Sequence, residues 1–300
     1  MAQGMAIESN VPEEYREHVS PNKDWKEIVA WVSDLPPLPH VASQALALIE
    51  DPDTTANQLT QLLGQDTALT ARVLKIANSA MFSRQREIST INQAIMTIGF
   101  KTLKGIIVAA TLRQLNRKFG PIERMIWENS TCTAVASRIL GTRLKKTYVE
   151  EVFLLGLLHD LGKLVLMRQI PKEYTQVAQG TKKGHYFHEI EQNEFGFAHP
   201  LIGALVAKKW NFSADACQVI LHHHDPVPGK IENELQEKTL LITLADLISH
   251  SLGVGHEEGY PEISEELLKV AALFELSEED VEQVKEGTKE MFENIGSAFM

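Results

Sequence analysis

Residues Phe153 to Lys163 read FLLGLLHDLGK, an almost unbroken apolar run ending in the ionisable pair His159-Asp160. A carboxylate carried into a core by such a run is costly unless it is paired, hydrogen-bonded or bound to a metal. Imidazole beside carboxylate is also a common pair of metal ligands. Neighbours on an α-helix point about 100° apart, so both side chains reach one ion only at a helix end or a bend. Gly162, two residues on, suits such an end. By itself the stretch reads first as a helix terminus whose polar pair is satisfied by backbone and a neighbouring side chain.

Outward from this stretch the apolar spacing is helical on both sides. Toward the N-terminus, Trp25 to Val32 has helical spacing, and LPPLP at 35–39 carries three prolines that forbid a helix. Val41 to Glu50 places Val41, Ala45, Leu48 and Ile49 on one face and stops before Asp51-Pro52. Thr54-Thr55 and Asp66 are helix caps, followed by Leu59, Leu62 and Leu63 and by Leu69, Val73 and Ile76. A helix from Ile91 to Ile98 closes at Gly99, and an apolar one runs from Thr102 to Leu115. Gly120-Pro121 is a breaker pair between two helical blocks.

Beyond it the spacing predicts helices over 123–144, 150–166, 171–180, 189–193, 199–210, 214–224 and 239–252. The glutamate-rich segment Ser264 to Phe299 divides into two amphipathic helices. Their apolar stripes are Leu267, Leu268, Ala271 and Phe274, then Val281, Val284 and Phe292. Alternating strands joined by hairpin turns are missing from the pattern. The fold class is therefore all-α. The expected division is a flexible tail over 1–22, helical blocks over 23–119 and 120–255, and a C-terminal helical cap over 256–300.

Hydrophobic residues at 44% and charged residues at 23% suit a globular chain with a substantial core. A net charge of −11 argues against broad contact with a phosphate backbone, so nucleic acid is not the expected partner. The most basic region, Lys101, Lys104, Arg113, Arg117 and Lys118, reads as a solvated helix face. Cys132 and Cys217 are isolated and read as buried apolar fillers, which excludes a cysteine-based zinc site. No uninterrupted apolar run approaches the ~18 residues of a membrane span. The N-terminus lacks a basic-then-apolar leader, so a cytoplasmic protein without a membrane partner is expected.

The second block gathers the histidines. His199 opens a helix before Pro200. His222-His223-His224 closes another before Asp225-Pro226. Asp246 interrupts the apolar helix LLITLADLI, where an unpaired carboxylate costs several kcal/mol, of order 5. Each has a local explanation. His199 is a polar helix start, the triplet is favoured at a helix C-terminus, and Asp246 has Arg138, Arg143 or Lys163 as ion-pair candidates.

Taken in order, His159-Asp160, His199, His223-His224 and Asp246 resemble the HD superfamily of metal-dependent phosphohydrolases. The first block resembles the HDOD family through LPPLP at 35–39, Asp51-Pro52, the stretch from Gln65-Asp66 to Leu74, Ala77-Asn78-Ser79-Ala80, Ala94-Ile95 and Gly99. The resemblance covers about Leu35 to His250. It implies an HD-like helical bundle joined to an additional N-terminal helical block, and use in bacterial signal transduction through contacts with signalling proteins. Related HD-GYP phosphodiesterases hydrolyse cyclic di-GMP.

Departures from the pattern limit the carry-over. Trp127-Glu128-Asn129-Ser130 stands where HD enzymes resemble Trp-x-His-Ser, so Asn129 replaces a metal-binding histidine. An acidic ligand of some binuclear relatives falls near Met125, which cannot substitute. Gly259-Tyr260-Pro261 lies on the wrong side of the Asp246 helix to match the HD-GYP motif and reads as a coincidental loop. What the resemblance leaves is a metal set of His159, Asp160 and Asp246 with Asn129 or water, and a second, weaker set of His199, His223 and His224. Lys163 is the candidate phosphate contact. The expected cofactor is one divalent ion or none, with Fe, Mn, Mg and Zn undistinguished. The primary expectation is a non-catalytic HDOD regulatory module with a degenerate HD site. The other is a metal-dependent phosphohydrolase acting on a nucleotide or cyclic dinucleotide.

Overall fold

A computed structural model describes residues 11–21, 24–33, 38–82, 87–115, 120–181, 184–256 and 260–299. Among them the regular elements are all helical. A 3-10 helix spans Glu13–His18, followed by α1 (Trp25–Ser33), α2 (His40–Glu50), α3 (Ala56–Leu63), α4 (Thr67–Ala77) and α5 (Ile91–Leu115). Then come α6 (Pro121–Arg143), α7 (Val149–Leu158), α8 (Leu161–Gln169), α9 (Pro171–Gly180), α10 (Phe187–Phe195) and α11 (His199–Lys209). The chain ends with α12 (Ala214–His222), α13 (Glu234–Ser251), α14 (Ser264–Leu273) and α15 (Glu278–Phe299).

Local chemistry sets the boundaries. Thr55 and Gln58 form a reciprocal capping box at the start of α3, and Asp66 caps α4 by accepting from the Leu69 amide. Asn78 donates to the carbonyls of Leu74 and Ile88 and accepts from the Ile88 amide, which clamps the end of α4 to the approach of α5. Gly99, at φ +78°, breaks α5 into two straight pieces where the glycine predicts it. Residues Ile91–Leu112 are long and apolar enough to cross a membrane, yet 61% of the apolar window is buried inside the protein, where it serves as a core helix.

The helix expected over 150–166 is two helices. His159 and Asp160 occupy the turn between α7 and α8, which lets their neighbouring side chains converge. Gly162 is not the helix end that its position suggested, because it lies in the first turn of α8. Its requirement is steric: a Cβ there would sit 1.9 Å from the carbonyl oxygen of His199, so α8 and α11 touch through backbone. At Gly156 a Cβ would come within 2.7 Å of Ala134 Cα, so α7 crosses α6 at similarly close range.

Long α6 is buried on nearly every side, with Trp127, Ala134, Val135 and Leu140 in the core and packing against α7, α13 and α15. Two of its buried hydroxyls are spent on the preceding turn, Ser130 donating to Ile126 O and Ser137 to Thr133 O, while Thr133 donates to Asp246 Oδ1 at 3.4 Å. In the C-terminal pair the buried stripe of α14 is Leu267, Val270 and Ala271, continued by Phe274, whereas Leu268 is 36% exposed. On α15 it includes Val281, Val284 and Ile295, with Phe292 half-buried. Residues 11–21 differ from the expected loose tail. Val11, Tyr15 and Val19 recur at four-residue spacing and bury against the core, a stripe too sparse among charges to stand out in sequence. Residues 35–37 of the proline stretch, and Arg117 and Lys118 of the basic region, lie outside the described residues.

Candidate metal centre

The expected residues come from six places in the bundle. Asn129 sits on α6, His159-Asp160 in the α7–α8 turn, Lys163 on α8, His199 at the start of α11, His223-His224 after α12, and Asp246 on α13. Asn129, His159, Asp160, Lys163, His199, His223 and Asp246 are all buried. Neither Arg138 nor Arg143 reaches Asp246: the first pairs with Glu150 and the second with Asp280.

One half of the centre is filled by hydrogen-bond donors. Asn129 donates through Nδ2 to Asp160 Oδ2 at 3.2 Å and to Asp246 Oδ1 at 2.8 Å. Its Oδ1 accepts from Ser249 Oγ at 2.7 Å, which fixes the amide in that orientation. The Lys163 ammonium donates to Asp160 Oδ2 at 2.8 Å, held over the Phe187 ring. Asn129 thus bridges the two carboxylates, and Lys163 sets a positive charge against Asp160. Gly255, at φ +87°, closes this side: a Cβ there would lie 2.5 Å from the Asn129 side chain.

The other half is rich in acceptors. His159 Nδ1 donates to Gly156 O at 2.8 Å and His223 Nδ1 to Ile220 O at 2.7 Å, because a carbonyl oxygen only accepts. His199 Nδ1 lies 2.7 Å from Glu191 Oε2, a carboxylate held below its usual range; burial opposes this but His199 and Tyr174 outweigh it. In their neutral forms His159 and His223 therefore turn an Nε2 lone pair inward. His199 Nε2 meets Asp160 Oδ1 at 3.1 Å and His223 Nε2 at 3.4 Å, while His159 Nε2 meets Asp246 Oδ1 at 3.3 Å. Asp160 Oδ1 and His224 Nε2 are buried without a hydrogen-bond partner. Acceptor facing acceptor is satisfied only by a proton or a cation.

The electrostatics favour different answers in the two halves. Burial lowers the basicity of His159, but Asp160 and Asp246 outweigh it and raise its pKa above the ordinary value. Burial, reinforced by neighbouring imidazoles, pushes His223 and His224 well below theirs. Asp160 stays ionised despite burial because His159 and Lys163 face it. Protons therefore gather at His159, while His223 and His224 stay neutral beside the charged Asp160. Asp160, His199, His223 and His224 each offer a ligand atom, and these atoms lie within 4.8 Å of one another. Their unpartnered atoms and their imidazole-carboxylate chemistry fit a divalent ion. An ion bound there would supply Lewis acidity.

Several neighbours were not legible as site residues. Glu191, fully buried on α10, accepts the backbone amide of His199 at 2.7 Å, lies 2.7 Å from its Nδ1, and accepts the hydroxyl of Tyr174. Its signal is positional, since Glu191 shares a helical face with Phe187 and Phe195. His250 lies 3.5 Å from Asp246, and burial pushes it down to about 4. Tyr260 stacks on His250 and His256 at 4.5 and 4.3 Å, so the Gly-Tyr-Pro stretch abuts the centre instead of forming an unrelated loop; its Gly259 lies outside the described residues. A cavity of about 1150 Å³ reaches the centre at His188 and His224. Cys132 and Cys217 are buried and free, as expected.

An all-helical bundle with a buried His/Asp cluster defines an HD-like protein. The family model of the HDOD domain matches residues 35–226, and the chain belongs to the HDOD family. An uncharacterized protein of Treponema pallidum (strain Nichols) is 23% identical over 196 residues, covering 65% of this chain and 38% of that protein. YuxH of Bacillus subtilis (strain 168) is 25% identical over 137 residues, 43% of this chain and 34% of YuxH. The chain thus spans little more than a third of the length of these relatives. Among solved structures it is similar to an HDOD domain protein of unknown function from Geobacter sulfurreducens, with TM-score 0.72, 26% identity, and coverage of 91% and 95% of the two chains. A Shewanella amazonensis SB2B protein provisionally named a phosphohydrolase shares the fold at TM-score 0.71 and 23% identity over 91% and 98%. So does a provisionally named signal transduction protein of Marinobacter aquaeolei VT8, at 0.69 and 18% over 91% and 64%.

Proposed function

We propose that this chain is a non-catalytic regulatory module of bacterial signal transduction, acting in the cytoplasm on other signalling proteins. Its degenerate HD site holds a single divalent cation between Asp160, His199, His223 and His224. The observation that carries the reading is Asn129, whose amide bridges Asp160 and Asp246 where a histidine ligand is missing. With Lys163 it supplies as fixed donors what a second ion would supply as charge. Among the described residues the cavity leading to His224 is walled by Glu173, Glu189, Glu194 and Asp225 and by no lysine or arginine, which suits a cation better than a phosphate ester. The signal-transduction name of the Marinobacter neighbour accords with this reading.

The alternative, a metal-dependent phosphohydrolase acting on a nucleotide or cyclic dinucleotide, is favoured by the intact acceptor cluster and by the provisional name of the Shewanella neighbour. Lys163 would then contact phosphate, but its ammonium is already committed to Asp160. The two readings separate in one experiment. Protein purified without chelator is assayed for metal by elemental analysis and for hydrolysis of cyclic di-GMP and of a chromogenic phosphodiester. One ion per chain with no turnover is expected. Turnover lost in Asp160→Asn overturns the regulatory reading.

A further inference from the structure

His199 stands between two carboxylates. Its Nδ1 is 2.7 Å from Glu191 Oε2, and its Nε2 is 3.1 Å from Asp160 Oδ1. A neutral imidazole has one proton for two such acceptors. Whichever carboxylate takes it decides what the ring offers the centre. A proton on Nε2 would bond Asp160 Oδ1, satisfy that orphaned oxygen and leave no lone pair for an ion. A proton on Nδ1 frees Nε2 for an ion, and the shorter of the two contacts, 2.7 Å against 3.1 Å, lies on the Glu191 side.

We infer that Glu191 is the positioning residue of the cation site: it claims the His199 proton, fixes the ring, and thereby keeps Nε2 open toward Asp160 and His223. This rests on the reading of the cluster as a cation site. Three features equip Glu191 for the task. It is fully buried, so water does not compete for its oxygens. Its Oε2 also accepts the backbone amide of His199, which ties the carboxylate to the residue it orients. Its Oε1 is occupied by the hydroxyl of Tyr174, itself fully buried and stacked on Phe187, so the carboxylate cannot rotate away. Helices α9, α10 and α11 thus meet on one carboxylate whose only unshared task is the His199 ring.

The test uses the full chain stripped of metal. Co(II) is titrated into wild type and Glu191→Gln and followed by ligand-field absorption, while long-range 1H–15N spectra of the metal-free proteins report which His199 nitrogen carries the proton. Glutamine keeps the volume and a hydrogen-bonding head but loses the charge that draws the proton to Nδ1. Expected are Co(II) affinity weaker by about 10–100-fold, the usual cost of losing such a supporting partner, and a shift of His199 toward the Nε2–H form. If wild type binds no Co(II), the cation reading falls and this inference with it. If wild type binds but Glu191→Gln matches it in affinity and in proton position, Glu191 is structural and the inference alone is overturned. Should Glu191→Gln fail to fold, Tyr174→Phe reads the same relationship: weaker binding supports it and wild-type binding with an unchanged His199 overturns it.

Discussion

Gly162 presses its Cα side against the carbonyl of His199, so closely that a single methyl group would stand 1.9 Å from that oxygen. Two ligand-bearing segments, the turn holding Asp160 and the start of α11, are thereby kept at backbone contact. Gly162→Ala is expected to cost about 3 kcal/mol or more, because backbone cannot step aside as a side-chain tip can. Urea unfolding measures this as a lowered midpoint at unchanged slope. A wild-type midpoint would mean that the two helices are free to part.

Lys163 and Asp160 form a buried ion pair at 2.8 Å. Removing the cation alone, in Lys163→Met, leaves an ionised carboxylate with weaker compensation and is expected to destabilise by about 3–5 kcal/mol. Combining it with Asp160→Asn should recover much of that loss. The double-mutant cycle, read by chemical denaturation, fails to support the pairing if the two effects simply add.

Binding of an ion by the native state alone stabilises it by mass action. At a hundredfold excess over the dissociation constant, Mn(II) or Ni(II) should add about 2.7 kcal/mol, and a chelator should remove it. His224→Ala, which deletes one of the four grouped ligands, should show a melting temperature indifferent to both additions. Equal metal-dependent shifts in variant and wild type would place the ion elsewhere.

The Tyr174 hydroxyl is raised well above its ordinary pKa, first by burial and then by Glu191. A group whose folded pKa is raised contributes stability below its unfolded pKa and loses it as pH climbs through the folded value. Wild type should therefore lose stability more steeply than Tyr174→Phe from about pH 9 to about pH 11. Parallel melting-temperature profiles over that window would argue against the buried bond.

Much of the bundle was legible because helix starts and stops have short-range causes. Thr55, Asp66 and Gly99 act on the turn beside them, and the apolar stripes of α3 and α4 need only three- and four-residue spacing. The stretch FLLGLLHDLGK showed a helix end only through Gly162, so the position of the break at His159-Asp160, with the restart at Leu161, was not legible. Contact between Gly162 and His199, residues 37 apart in sequence, imposes it. Glu191 escaped for the same reason. Its partners Tyr174 and His199 lie on other helices, and an acid on an amphipathic helix looks like a solvated one until the neighbours are in place.

The turn at Gly255 limits what position 129 can carry. Its backbone lies against the Asn129 amide, with a positive φ that other residues resist. A histidine at position 129 would bring a five-membered ring into a space closed by that turn. Asn129→His by itself would therefore crowd the turn, which would have to be rebuilt along with it. Residues 126 apart in the sequence are in this way chosen together.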